Sequence, residues 1–428
     1  MIYDLIIIGY GVSGLSCAKV AKTNNLNFLV LEKSNELGGC WNDALEYTTL
    51  QTHRQFYQYR DFKMPRKYGD YPSKTNVLQY LRTVESYFNL DKHIKFNQNV
   101  KSIVYTSTSW SIKCQSQSQS QSQSQTVDKI YNAKYICVCS GYYSQPLIPP
   151  VIELYQNRFK GKIYHSSQLN KLTNLKCFEG KKVVIVGNGA SASDFLGALD
   201  AEKIKCCQYV IYRSNKYYIT KYIAGLSSSL ILTQKIIKFF KHLPTEIYRQ
   251  LFVGASYLIF RNFLDLPIEK VNSHNLIGNT IIPNLVKSHQ LIYIRDTINY
   301  LENHEIYMSH TMILNVDYLV CCTGYQKNYL PFQVWINGRE IVYDNINYLQ
   351  ILNPIIPQCG FIGMAPSYNW LVNSDKQAQW FIKNIVLGKQ YISKEIMTHE
   401  ITRHQKKQNI HYLDYEDLTY ELFTYLEK

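Results

Sequence analysis

Acidic residues are scarce in this 428-residue chain: 32 Asp and Glu stand against 46 Lys and Arg, leaving a formal charge of +14. Charged residues of both signs reach only 18%, against 46% hydrophobic, so disorder is excluded for most of the chain and a sizeable core is expected. The basic residues are scattered and form no arm or stripe, so the footprint of a nucleic-acid binder is missing. What remains is a basic surface that suits small polyanions such as dinucleotide phosphates.

Long hydrophobic runs are also lacking. Outside the first strand the cleanest one, Leu251 to Phe260, is about half of the roughly 20 residues a spanning helix needs. Its neighbourhood, Tyr222 to Leu266, is apolar apart from interruptions such as Lys235 and Lys238; packing against the rest of the protein is expected, with peripheral membrane contact as the alternative. No charged leader or small-residue cleavage site precedes the first strand, so no secretory signal is expected. The eleven cysteines include no CxxC and no cysteine–histidine spacing of a zinc site. The close pairs Cys137/Cys139, Cys206/Cys207 and Cys321/Cys322 therefore read as reduced thiols, without a metal, in a cytoplasmic setting.

Two glycine motifs dominate what is present. Tyr3 to Ile8 is a short apolar run that suits a buried parallel strand, Gly14 to Thr23 is helix-like, and Asn27 to Leu31 is a second strand. Between strand and helix lies Gly9-Tyr10-Gly11-Val12-Ser13-Gly14, the dinucleotide fingerprint in its required context. Gly9 permits the tight turn, Gly11 lets backbone approach a pyrophosphate, and Gly14 lets helix and strand pack closely. The helix N-terminus then offers unpaired amides to phosphate. Glu32 closes the unit where a carboxylate can accept hydrogen bonds from ribose hydroxyls.

The second motif, Gly187-Asn188-Gly189-Ala190-Ser191-Ala192, follows the strand Lys182 to Val186. Its second strand ends without an acid and continues into Arg213 and Lys216; arginine can grip a 2′-phosphate that an acid would repel. NADPH is the expected ligand here, and the plain alternative for Arg213 is a solvated surface charge. A site with an acid paired with a site with a base implies FAD in the first and a hydride donor in the second.

The fold class expected is α/β with two Rossmann-like domains, the NADPH domain inserted into the FAD domain. The expected division is 1–165 for the first part of the FAD domain, 166–312 for the NADPH domain, and 313–428 for the second part with a C-terminal helical region. Ile103 to Lys113 and Lys129 to Cys139 alternate as antiparallel strands joined by a solvent-exposed Gln/Ser tract at Gln115 to Gln125. YICVCSG from Tyr135 and YLVCCTG from Tyr318 echo each other on either side of the second motif.

Further stretches carry a family resemblance. Leu31 to Asn42, with Glu32, Lys33 and then Gly38-Gly39-Cys40-Trp41, resembles the segment of flavin-containing monooxygenases that ends in Gly-Gly-x-Trp. Phe159-x-Gly161-x-x-x-His165 is similar to their FxGxxxH motif. Cys322 to Tyr325 resembles their ATGY, and Leu50 to Pro65 is most similar to the plant branch. The resemblance implies that NADPH reduces FAD, that reduced flavin captures oxygen as a peroxide, and that a nucleophilic nitrogen or sulfur of a small amine or thioether attacks it. A Baeyer–Villiger ketone oxygenase and a non-catalytic flavoprotein or redox sensor stay open as alternatives. A disulfide reductase is disfavoured because Cys40 is followed by Trp41.

The chain departs from the family in two places. Thr52-His53 stands where many members have Thr-Asn beside the flavin, which makes His53 a candidate catalytic group or an ordinary structural histidine. Leu169 replaces an aromatic residue four places beyond His165, and His165 itself is expected to link the domains. The segment from Cys359 reads as a strand, a turn and a helix lining the substrate pocket.

Overall fold

A computed structural model describes residues 2–117, 126–172, 174–231, 276–327, 329–344, 346–364, 369–388 and 392–406. The greater part of the Gln/Ser tract and the apolar run Leu251–Phe260 lie outside them. Among the described residues no helix is long and apolar enough to cross a membrane.

The strands in the first half of the chain are β1 (Ile2–Ile8), β2 (Phe28–Leu31), β3 (Ile94–Lys95), β4 (Gln98–Thr106), β5 (Ser109–Gln117), β6 (Thr126–Val138), β7 (Lys162–His165), β8 (Lys182–Val186) and β9 (Cys207–Tyr212). β1 and β2 pair in parallel, Leu5 with Phe28 through Ile8 with Leu31, and every one of these residues is buried. Their uninterrupted apolar character thus follows from being covered on both faces. Helix α1 (Val12–Thr23) connects them and completes the βαβ unit.

The first sheet continues from β1 to β6 and out through β5 and β4 to the strand Gln333–Ile336. β6 is long and changes partner along its length: Thr126 to Ala133 pair antiparallel with β5, while Ile136 to Val138 pair in parallel with the late strand Cys359–Phe361. The expected single strand Ile103–Lys113 is two strands. Ser107, with φ +57°, turns the chain, and Thr106 of β4 faces Ser109 of β5.

The second sheet is parallel throughout, in the order Leu291–Arg295, β9, β8, Tyr318–Cys321, β7. All its strands fall between Lys162 and Cys321, whereas the first sheet draws strands from both sides of that interval. The second lobe is therefore inserted into the first. Its sheet runs beyond the expected 166–312 at both ends, because Val320 pairs with Ile185 on one side and Tyr164 on the other.

The returning C-terminal segment closes the first lobe. The helix Trp370–Trp380 packs on α1, with Ser374 Oγ 2.9 Å from Ser13 Oγ. Beneath that contact Lys19, buried on α1, places Nζ 2.9 Å from Asp61 Oδ1 and 2.9 Å from Asp375 Oδ1. Burial pushes the Asp375 carboxyl up and Lys19 opposes the shift. A buried ion group of this kind is weak as a source of stability but costly to break. Lys19→Met leaves Asp375 buried without its cation, and urea unfolding is expected to show a loss of about 3 kcal/mol.

Candidate active site

Each glycine turn is shaped by backbone packed on backbone. Gly9 has φ +98°, and a Cβ there would lie 2.6 Å from the carbonyl oxygen of Cys139, just past the end of β6. Gly187 repeats the arrangement at φ +103°, with a Cβ placed 2.4 Å from the carbonyl oxygen of Cys322. The echo between YICVCSG and YLVCCTG therefore has a structural meaning: each is the strand beside a glycine turn, and its last Cys supplies the surface on which the first glycine rests. Gly14 packs behind the first turn, where a Cβ would fall 2.0 Å from Gly9 O. Gly11 and Gly39 approach backbone to backbone, which brings the Gly-Gly-Cys-Trp segment over the turn.

Both turns open onto one cavity of about 900 Å³. From the first lobe its walls include Gly9, Tyr10, Gly11, Val12, Ser13, Glu32, Lys33, Gly39, Cys40, Trp41 and Thr52; from the second they include Gly189, Ala190, Arg213 and Lys216. Glu32 is buried at the end of β2. One carboxylate oxygen accepts from the Tyr10 amide and the other from Ser34 N and Oγ, both at 2.8 Å. These bonds fix the carboxylate on the cavity wall and leave acceptor capacity for a ligand hydroxyl.

The other sequence-predicted residues do not line the cavity. Gly14, Gly187 and Ala192 lie behind the turns, and Ser191 is half-buried on the helix Ala190–Ala201. Asn188 is turned away, its amide donating to Ser214 O at 3.0 Å and to Tyr293 Oη at 2.7 Å. His53 is buried, with Nδ1 accepting from the Gln55 amide at 3.2 Å and Nε2 3.0 Å from Asp70 Oδ1. Both of its nitrogens are engaged within its own loop. Leu169, the other departure, is buried in the core of the second lobe.

Missed in the sequence were Thr48, Asp194, Tyr142 and Tyr143; Tyr325 of the CTGY motif and Trp370, from the segment expected to line the pocket, join them on the cavity wall. Tyr143 sits 5.5 Å from the Tyr325 ring and 5.3 Å from Trp370, centroid to centroid. Aromatic residues flanking the CSG and CTG turns were the available signal, but sequence does not show that the two turns meet.

His165, at the end of β7, bonds through Nε2 to Gly324 O at 3.0 Å, and its Nδ1 accepts from Ser167 N at 3.2 Å. The ring thus ties the FxGxxxH segment to the CTGY loop. Gly161 allows this course, since a Cβ there would strike the Phe159 ring at 2.6 Å. Burial holds the imidazole below its ordinary 6.5, opposed by the bond to Gly324. A histidine kept neutral when folded but free to protonate when unfolded contributes stability above 6.5 that is lost as pH falls. Thermal midpoints measured across this window are expected to drop more steeply below pH 6.5 for the wild type than for His165→Gln.

Comparison with known proteins agrees with this geometry. Residues 3–428 match the family described as flavin-binding monooxygenase-like. Flavin-containing monooxygenase 1 of Sus scrofa is 24% identical over 426 residues, covering 94% of this chain and 77% of the pig protein. A relative from Arabidopsis thaliana is 27% identical over 408 residues, covering 87% of this chain and 84% of its own. Among solved structures, OTEMO in complex with FAD and NADP aligns with a TM-score of 0.67 at 16% identity, over 90% of this chain and 84% of its own, a likeness of fold. The chain belongs to the flavin-binding monooxygenase-like family.

Proposed function

We propose that the chain is an NADPH- and oxygen-dependent flavin monooxygenase that oxygenates a nucleophilic nitrogen or sulfur of a small molecule. The observation that carries this reading is the single cavity walled by both glycine turns. Its volume lies within the range of small-molecule sites.

The residues fit the two cofactors. Gly9, Gly11 and Gly39 leave room for backbone to meet the FAD pyrophosphate, and Glu32 would take its ribose hydroxyls. In the second lobe Gly189 has no atom within 4 Å of where its Cβ would be, and the helix starting at Ala190 would point its amides at the NADPH phosphates. Arg213, exposed at the end of β9, would hold the 2′-phosphate with Lys216 beside it. Bound FAD would supply hydride acceptance and oxygen activation, chemistry no side chain here provides. The chain's own tasks are to orient the cofactors and exclude water.

The aromatic wall of Tyr142, Tyr143, Tyr325 and Trp370 supports a substrate with an apolar body and a soft or cationic heteroatom. We assign His53 to holding the Thr52 loop through Asp70 and Gln55, and His165 to joining the lobes. We take 162–321, the interval that holds every strand of the second sheet, as the nicotinamide lobe and the flanking segments as the flavin lobe.

Oxygen consumption by the FAD-loaded chain with NADPH is expected to rise on adding a thioether or tertiary amine, with the S- or N-oxide as product. Turnover of a cyclic ketone to its lactone, with thioethers inert, would overturn this choice. Arg213→Ser is expected to lower the preference for NADPH over NADH by about tenfold or more, equivalent to about 1.4 kcal/mol, in kcat/KM for flavin reduction.

A further inference from the structure

Asp194 is an acid on the cavity wall that the proposed function does not use. It lies on the helix Ala190–Ala201, two residues beyond the second glycine motif, and faces the first lobe. Thr48 Oγ1 donates to its Oδ2 at 3.3 Å. The next residue of the first lobe, Thr49, accepts at Oγ1 from Lys221 Nζ. Two adjacent threonines of one lobe are thus gripped by an acid and a base of the other. Two residues on, Gln51 Oε1 accepts from the Gly278 amide at 3.3 Å, and a Cβ on Gly278 would lie 2.8 Å from Gln51 O. The segment from Thr48 to Thr52, all five of whose residues line the cavity, is therefore one part of the seam between the lobes, which also includes Tyr71 on Lys221 and Asn170 on Asn42.

The environment of Asp194 makes its charge state responsive. Burial pushes the carboxyl up to about 7, against the opposing pull of Thr48 and Lys221. Lys221 is pushed down by burial and held back by Asp194. Cys322, whose thiol burial keeps neutral, faces the same carboxyl from the loop after Tyr318–Cys321. The other charged residues on the cavity wall are Glu32, Lys33, Asp43, Arg213, Lys216 and Lys327.

We propose that Asp194 is a positioning residue: exchange of one proton between its carboxyl and solvent tightens or loosens the hold of the second lobe on Thr48–Thr52, and so sets how the two cradles face each other. The carboxylate accepts a charge-assisted bond from Thr48, roughly twice as strong as a neutral one, and attracts Lys221. Protonation removes both effects. Only the functional consequence, a nicotinamide–flavin approach that improves as pH rises through about 7, rests on the cofactor reading above.

Hydrogen–deuterium exchange of the Thr48–Thr52 amides tests this in the cofactor-free chain. Wild type, Asp194→Asn and Thr48→Val are compared with one another at each pH, so the intrinsic pH dependence of exchange cancels. Above pH 7 the wild-type segment is expected to be protected about tenfold more than in either variant, and below about pH 6 Asp194→Asn should match it. Asp194→Glu should keep the pH-dependent step. Equal protection in wild type and Asp194→Asn at every pH, or a difference that does not change with pH, would overturn the proposal. Because no cofactor is needed, a chain that binds no flavin would sink the cofactor reading and leave this result standing. If Asp194→Asn does not fold, Thr48→Val carries the test from the other side of the bond.

Discussion

Everything about the site follows from one constraint, the approach of a glycine to a neighbouring strand's carbonyl at distances that leave no room for a Cβ. Gly9 on Cys139 and Gly187 on Cys322 are the two instances. Each contact turns the chain sharply out of its sheet and starts a helix with its amides facing the same edge. Because the second lobe is inserted where the first chain segment ends, the two edges meet over one cavity. Neither turn would tolerate alanine, since positive φ and the carbonyl clash act together.

The rest of the architecture holds these edges in place. The late strand Cys359–Phe361 and helix Trp370–Trp380 come back after the insertion, one pairing with β6 and the other covering α1. Gly363, between them, comes so close to Ser13 that a Cβ would lie 1.9 Å from its Oγ. The first glycine turn is thus clamped from both ends of the sequence. His165 makes a further tie, since its ring carries the bond from β7 to Gly324.

Sequence reading found what depends on local pattern. β1, α1, β2 and β8 are continuous apolar or glycine-marked runs whose structure is decided within a few residues, and Glu32 and Arg213 sit at fixed places after them. What it missed depends on contacts across long separations. Nothing near Asp194 shows that Thr48, 146 positions earlier, binds it. Thr52-His53 invited a catalytic reading because the family places a flavin contact there; the structure engages the imidazole with Asp70 and Gln55 instead. The single strand expected at Ile103–Lys113 failed for a smaller reason: the turn at Ser107 carries no glycine or proline, only the weaker signal of the Ser/Thr cluster Thr106–Ser109.

The central claim is that the two cradles share one cavity so that a hydride passes directly from one cofactor to the other. Anaerobic mixing of the FAD-loaded chain with NADPH deuterated at the transferring position tests it most directly. The account predicts loss of flavin colour with a primary isotope effect on its rate. Flavin that keeps its colour while NADPH is demonstrably bound would contradict it.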